Sequence, residues 1–164
     1  MSELVASSGN VRLAEERDEA FLYGVFCSLW EREVAKMPDS RMVHHFLRIQ
    51  YTTQESRFRT RFPTLSRYVL QDEHGKDAGR LFLHPEPEIV HLVDLTLLPA
   101  FRGRGLATAT LRDVMAQAQG RGQTVSLRVD RRSAPAAHLC HKLGFDLVTL
   151  DDQDGYYEWQ PASV

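Results

Sequence analysis

Cysteine is scarce in this sequence: Cys27 and Cys140 are the only two among 164 residues. They lack the CxxC spacing of zinc and redox motifs, and two cysteines cannot form the dense disulfide framework of small secreted proteins. The histidines and carboxylates do not show HExxH-type spacing, so we expect no metal. These absences favour a reducing compartment, and we predict a cytoplasmic protein.

Long apolar runs and an excess of one charge are also absent. The first residues, MSELVASSGN, lack the basic and apolar regions of a secretory signal, and no later run approaches the roughly 18 apolar residues of a membrane span. The 20 Lys and Arg nearly balance the 22 Asp and Glu, which argues against coating nucleic acid or anionic lipid. We expect one soluble domain over residues 1–164, with no nucleic-acid or membrane partner.

The first half of the chain predicts one strand and two helices. Residues 11–17 (VRLAEER) favour a strand, and Asp18 is positioned to cap a helix that runs to Trp30. A break at 38–40 starts a second helix, which ends before Pro63. The predicted buried stripes are Phe21, Leu22, Val25, Phe26, Leu29 and Trp30 in the first helix, and Met42, Phe46, Ile49 and Thr53 in the second.

The second half predicts strands that alternate with helices. The strands are expected over 67–71, 78–83, 89–98, 124–129, 146–150 and 156–160, with hairpin turns at 72–75 and 151–155. The helices are expected over 106–119, with Ala107, Leu111, Val114, Met115 and Ala118 buried, and from Ser133 to Gly144. This order predicts a mixed α/β or α+β domain with a central sheet flanked by helices.

The clearest chemical signal is the turn Arg102-Gly103-Arg104-Gly105, between a buried strand and a helix. The first amides of a helix lack internal acceptors and the helix dipole is positive there, so such a turn favours phosphate. The glycines let a ligand approach the backbone, and the arginines can add countercharge. A Walker A motif is absent, only the GxG part of a Rossmann fingerprint is present, and one RGRG copy is weak evidence for nucleic-acid binding. Taken alone, the turn could equally be a plain connection.

Two motifs together resemble the GCN5-related N-acetyltransferase (GNAT) family. Residues 102–107 (RGRGLA) are similar to its (Gln/Arg)-x-x-Gly-x-(Gly/Ala) signature, which binds acetyl-coenzyme A and follows a hydrophobic-x-Pro step, here 97–99 (LLP). Ser133, Ala136 and 139–145 (LCHKLGF) resemble the family's Asn-x-x-Ala and Leu-Tyr-x-Lys-Leu-Gly-Phe segment. The resemblance is strongest over 89–159, and over 11–88 it rests on element order alone.

The resemblance implies a mixed sheet whose fourth and fifth strands splay apart, with coenzyme A (CoA) as co-substrate in the gap. Open strand edges there can pair with the amide-rich pantetheine arm as a further strand would. The implied CoA-binding residues are Leu97, Leu98, Arg102, Gly103, Arg104, Gly105, Leu106, Ala107 and Ser133. The implied activity is acetyl transfer to a primary amine of a small molecule or peptide, by a monomer or homodimer.

Acetyl transfer benefits from a base, because an alkylammonium with a pKa near 10 is only about 0.1% neutral at pH 7. His91 is the first candidate: an unperturbed histidine titrates near 6.5, and several family members carry Glu or His at the matching position. Strict strand alternation would group it with the apolar Leu95 and Leu97. Asp94, on the opposite predicted face with Thr96, is the rival base. The alternatives are a structural hydrogen bond for His91 and pairing with an Arg or an amide for Asp94.

The sequence departs from the family at two positions. Cys140 replaces the tyrosine that protonates the departing sulfur, and Ser133 replaces the asparagine. Cys140 is a candidate acid, since a thiol with a pKa near 8.5 can donate a proton, or else a small packing residue. Tyr156 or Tyr157 could substitute as the acid, and CoA thiolate is itself a fair leaving group.

The charge distribution leaves the acceptor open. Residues 41–68 hold six Arg and one Glu, whereas 146–164 hold five acidic residues and no Lys or Arg. Either a basic lip suits an acceptor with a carboxylate or phosphate, or the charged segments pair or are solvated. Three functions remain: an N-acetyltransferase, an acyltransferase with another acyl-CoA donor, and a non-catalytic acyl-CoA-binding regulatory module.

Overall fold

The computed structural model describes residues 10–163 of the chain. Its helices are α1 (Glu19–Ser28), α2 (Glu31–Val34), α3 (Ser40–Arg61), α4 (Leu106–Arg121) and α5 (Ala134–Lys142). Its strands are β1 (Val11–Leu13), β2 (Ser66–Gln71), β3 (Asp77–Pro85), β4 (Ile89–Leu97), β5 (Thr124–Asp130), β6 (Asp146–Leu150) and β7 (Asp154–Trp159). Two short 3₁₀ turns, Glu16–Asp18 and Pro99–Phe101, precede α1 and follow β4.

The strands form one seven-stranded sheet in the order β1-β2-β3-β4-β5-β7-β6. Every neighbouring pair is antiparallel except β4 and β5, which run parallel because α4 connects them across the sheet. The predicted mixed α/β fold with a central sheet flanked by helices is therefore confirmed.

The sheet is split between β4 and β5. These strands pair only from Ile89 with Thr124 to Leu92 with Leu127. Beyond that point β4 continues along β3 to Leu97, and β5 continues along β7 to Asp130. The two inner edges separate there, as expected for the fourth and fifth strands.

Helices cover the two faces of the sheet. On one face, Leu111, Val114 and Ala118 of α4 and Cys140 of α5 pack in the larger hydrophobic cluster, as the periodicity of 106–119 predicts. On the other face, Leu22 of α1 packs with strand residues in a smaller cluster that Phe58 of α3 also contacts. The split thus lies between two helical layers.

The beginning of the chain differs from the prediction. The first strand ends at Leu13 rather than at residue 17, because the chain turns there to bring the Asp18 carboxylate to the Glu15 amide at 2.8 Å. Asp18 does precede α1, but its side chain binds Arg12 instead of capping the helix. The first helix ends at Ser28, two residues before Trp30.

The predicted buried stripe of α3 is wrong. Met42 and Ile49 are 54% and 50% exposed, whereas Leu47 and Tyr51 are buried. The helix is rotated because the Tyr51 ring packs edge-on against aromatic rings of α1, with centres 5.2 Å from Phe26 and 5.0 Å from Tyr23.

Candidate active site

A cavity of about 920 Å³ lies on the α1–α3 side of the sheet, at the split. Leu92 and Val93 of β4 and Leu127 and Arg128 of β5 line it, and these are the residues at which the two strands part. Side chains of α1, α2, α3, β3, β6 and β7 complete its walls. The cavity therefore reaches the gap between the open strand edges.

A β-bulge decides which β4 side chains face this side. His84 pairs with His91 and Leu83 with Leu92, but Phe82 pairs with Asp94, so one extra β4 residue is inserted. His91 and Asp94 consequently lie on the same face of the sheet, although strict alternation predicts opposite faces. The expected grouping of His91 with Leu95 and Leu97 is wrong for the same reason, since Leu95 and Leu97 pack in the cluster beneath α4.

His91 lines the cavity inside a polar cluster. Its Nδ1 lies 2.6 Å from the Ser126 hydroxyl on β5, and its Nε2 lies 3.6 Å from the Glu86 carboxylate. The His84 ring stacks on it with centres 5.8 Å apart and planes 19° apart. His84 Nε2 lies 3.4 Å from the same Glu86 oxygen. One carboxylate therefore lies beside two histidines, and its negative charge can attract an ammonium group.

Sequence analysis missed His84, Glu86 and Ser126. His84 faces His91 only because β3 and β4 pair, and Ser126 faces it through the parallel pairing of β4 with β5. Nothing in the spacing of these residues along the chain indicates that they meet.

Asp94 is held by a buried ion pair. Arg80 Nη2 and Nε donate to its two carboxylate oxygens at 2.7 and 3.2 Å, and the Thr96 hydroxyl donates at 2.6 Å. Arg80 is fully buried, and its Nη2 also reaches Gln54 of α3 at 2.9 Å. Asp94 is therefore paired with an arginine, which was the alternative to a catalytic role for this residue. Sequence analysis did not identify Arg80. The feature that could have indicated a buried ion pair is a single arginine next to the apolar residues 81–83 of the strand.

The glycine turn leads into the first turn of α4. Gly103 and Gly105 have φ of 75° and 79°, in the left-handed region that favours glycine. Gly105 occupies the N-cap position and has no side chain to cap the helix, so the first amides lack an intrahelical partner and face outward beside the turn. A Cβ at either glycine would meet nothing within 4 Å, which leaves room for a ligand.

The candidate CoA-binding residues around this turn cluster at the end of β4. Arg102 Nε donates to the Leu97 carbonyl at 3.1 Å, and the Arg104 guanidinium lies 5.4 Å above the Phe101 ring. The Leu98 amide already donates to the Ala78 carbonyl at 2.9 Å, so it is not free to bind a ligand. The first helical residues of the signature, Leu106 and Ala107, are half-buried.

The two departures from the family lie on the other side of the split. Ser133 occupies the N-cap position of α5 without a capping side-chain bond, and its amide donates to the Asp130 carbonyl at 2.9 Å. Cys140 is buried in the cluster beneath α4 and α5, and this burial raises the pKa of its thiol to about 11.

Tyr156 and Tyr157 line the cavity. The Arg128 guanidinium lies 4.4 Å from the Tyr156 ring centre, and Tyr157 also packs against the larger hydrophobic cluster. Both tyrosines therefore border the cavity that contains His91.

The described residues contain neither a candidate membrane span nor a candidate metal cluster. Within residues 10–163, no helix is long and apolar enough to cross a membrane, and no three His, Cys, Asp or Glu side chains gather as metal ligands.

Solved structures with this fold include several acetyltransferases. PaiA N-acetyltransferase from Thermoplasma acidophilum, in complex with CoA, matches with a TM-score of 0.67 and 17% identity over 92% of this chain and 97% of that one. The ribosomal-protein-S18-alanine N-acetyltransferase from Escherichia coli has a TM-score of 0.62 and 19% identity over 94% of each chain. A GNAT family acetyltransferase from Elizabethkingia anophelis with acetyl-CoA bound has a TM-score of 0.56 and 12% identity over 92% and 96%.

Comparison of sequences gives two results. No curated protein sequence matches the chain significantly. The family model described as Acetyltransferase (GNAT) family matches residues 28–145, which include the glycine turn and the segment that ends at Phe145. This chain belongs to the GNAT acetyltransferase family.

Proposed function

We propose that this protein is an acetyl-CoA-dependent N-acetyltransferase, which acetylates a primary amine of a small molecule or peptide by direct attack. One observation carries the proposal. The cavity that contains His91 opens at the split between β4 and β5, and the family's CoA-binding signature begins at the end of the same β4. Family membership and neighbours solved with CoA or acetyl-CoA support the donor.

The residues around the split suit the donor. The left-handed Gly103 and Gly105 leave the α4 amides accessible to a pyrophosphate. The open edges of β4 and β5 offer peptide groups to a pantetheine arm. When bound, acetyl-CoA supplies a thioester whose carbonyl carbon is the electrophile. Backbone amides along the open β4 edge, near Leu97, are suited to donate to the developing oxyanion.

In this mechanism His91 removes the proton from the acceptor amine. The amine nitrogen forms the new N–C bond, the C–S bond breaks, and CoA leaves as its thiolate or thiol. Glu86 stabilises the protonated imidazole, and Ser126 fixes the orientation of the ring. Asp94 is bound by Arg80 and Thr96 and does not line the cavity, so we assign it a structural role.

The departing CoA sulfur can take up a proton, which the family's tyrosine supplies. In this chain Cys140 occupies the position of that tyrosine. The high pKa and burial of Cys140 favour a packing role for this residue. Tyr156 and Tyr157 border the cavity and are the remaining candidates. Because the family's tyrosine is absent, a second candidate function is a non-catalytic acyl-CoA-binding regulatory module. The third is an acyltransferase that uses another acyl-CoA donor.

Amine-dependent release of CoA thiol tests the proposal. Purified protein is mixed with acetyl-CoA and a broad panel of primary amines, and an acyl-chain series compares donors. We expect release with acetyl-CoA that depends on an amine. CoA binding without release for any amine would support the binding module, and faster release with a longer acyl chain would support the other acyltransferase.

The variant His91→Ala tests the base. We expect kcat to fall by about 100-fold, in the range usual for general bases, together with loss of the acidic limb of the pH–rate profile. His45→Ala is the matched control, because His45 is exposed on α3 and does not line the cavity, and we expect it to behave as wild type. A pH–rate profile unchanged by His91→Ala would contradict this role.

A further inference from the structure

Two arginines of α3 enter the cavity wall without an acidic partner. Arg57 and Arg61 are one helical turn apart, and both line the cavity. Among residues 10–163, neither has a carboxylate within 4 Å. Arg61 lies over the Phe62 ring, 5.6 Å from its centre. Like charges at this spacing disfavour the helix, so the pair is not explained by the stability of α3.

The other basic groups nearby are already engaged. Arg67 pairs with Glu19 and Glu55, and the Arg48 guanidinium lies 4.2 Å from the Tyr23 ring centre. Two further arginines of the cavity wall, Arg128 and Arg132, are paired with Asp154 and Asp130. Pairing therefore accounts for some arginines of the basic segment 41–68 but not for Arg57 and Arg61, which are exposed to solvent where they line the cavity.

Glu86 is the carboxylate of the cavity lining that lies beside the candidate base. It is 3.6 Å from His91, and the Phe62 ring lies near both the His91 ring and the Arg61 guanidinium. The Phe62 centre is 6.2 Å from the His91 ring centre and 5.6 Å from the Arg61 guanidinium carbon. The cavity thus combines a carboxylate beside His91, which can attract a cation, with two arginines of α3, which can attract an anion.

We propose that the acceptor is an amine that also carries an anionic group, a carboxylate or phosphate, several bonds from the nitrogen, and that Arg57 and Arg61 bind this anion. The inference rests on the proposed function and names its substrate class. The ammonium enters beside Glu86 and His91, the connecting chain lies along Phe62, and the two guanidinium groups hold the anion through charge-assisted hydrogen bonds.

Binding of short probes to the CoA-loaded protein tests this proposal without requiring turnover. Isothermal titration or NMR measures the affinity of ω-amino acids from 4-aminobutyrate to 8-aminooctanoate, of alkylamines of equal chain length, and of the corresponding aminoalkyl phosphates. The proteins are wild type, Arg57→Ala, Arg61→Ala and Arg59→Ala. Arg59 is the matched control, since it is exposed in the same helical turn but does not line the cavity.

We expect at least one anionic probe to bind about tenfold more tightly than its alkylamine. Arg57→Ala and Arg61→Ala should each reduce that preference by about three- to tenfold, leaving alkylamine affinity unchanged. Arg59→Ala should retain the preference, and comparison of the two anions identifies the preferred group. Equal binding of anionic and neutral amines, or no binding of any probe, would overturn this inference alone. Failure of the wild-type protein to bind CoA would overturn the proposed function as well.

Discussion

At the residue scale, one ion pair joins the first strand to the first helix. Two Arg12 nitrogens donate to the Asp18 carboxylate at 2.8 and 2.9 Å, and the Glu15 amide donates to it at 2.8 Å. These bonds stabilise the charged carboxylate and lower the pKa of Asp18 to about 2. The interaction is partly shielded from solvent, because Asp18 is buried and Arg12 is 27% exposed.

This ion pair predicts a pH-dependent stability. Asp18 has a lower pKa in the folded chain than in the unfolded chain, so its contribution is present above about pH 4 and is lost as the pH falls toward 2. We expect Asp18→Asn to reduce the free energy of unfolding by about 1–2 kcal/mol at pH 7. Urea unfolding measures it, with the exposed Asp152→Asn as control. The account would be contradicted if Asp18→Asn were as stable as wild type at pH 7. It would also be contradicted if the loss of stability seen at pH 7 were equally large at pH 2.

Single residues also show how much of the site can be predicted from sequence. His91 was proposed as a base because histidine titrates near working pH and the family carries Glu or His at the matching position, and it lines the cavity. The sequence did not identify three of its neighbours, His84, Glu86 and Ser126. They come from other strands and loops and meet His91 only in the folded sheet. The predicted strand face of Asp94 was wrong, because the sequence of this strand gives no recognisable sign of the β-bulge.

At the element scale, the pairing of β3 with β4 requires a glycine. A Cβ built on Gly79 would lie 2.3 Å from the Thr96 carbonyl oxygen and 3.0 Å from Leu97. Because both neighbours include backbone of β4, neither can move without disturbing the strand that carries the bulge and borders the split.

We therefore predict that Gly79→Ala destabilises the protein by about 1–3 kcal/mol, as expected for overpacking. Gly24→Ala is the control: Gly24 is exposed within α1, with nothing within 4 Å of the added methyl group. The control should stabilise the protein by about 0.5–1 kcal/mol, because alanine favours helix over glycine. Thermal unfolding compares the two, and equal effects of the same sign would show that the Thr96 contact does not matter.

The elements differ in how well sequence predicts them. The stripe of α4 was predicted correctly, since a helix against one face of a sheet buries apolar residues with a regular period. The buried face of α3 was not predicted correctly, because α3 borders a cavity and packs through Tyr51 against α1. The side of α3 that lines the cavity therefore carries Gln50, Gln54 and Arg57. A prediction from hydrophobic periodicity assigns such polar residues to the solvent-exposed face.

At the scale of the whole molecule, the split sheet lies between the turn before α4 and the cavity. Residues 97–107, the proposed CoA site, lie where β4 passes into α4. The cavity with His91 lies on the side of α1 and α3. The proposed CoA-binding signature could be recognised from sequence because its residues are contiguous. The cavity could not, because its walls combine three helices and five strands.

The account depends centrally on the turn before α4 as the pyrophosphate site, and calorimetric titration with CoA tests this most directly. We compare wild type, Gly105→Glu and Gly122→Glu, since Gly122 has a left-handed φ of 67° at the opposite end of α4 and equal room for a side chain. Both substitutions strain the backbone by about 1–2 kcal/mol, but only Gly105→Glu directs a negative charge toward the ligand. We predict that wild type and Gly122→Glu bind CoA alike and that Gly105→Glu binds at least tenfold more weakly. Undiminished binding by a folded Gly105→Glu variant, or no binding by wild type, would contradict the account.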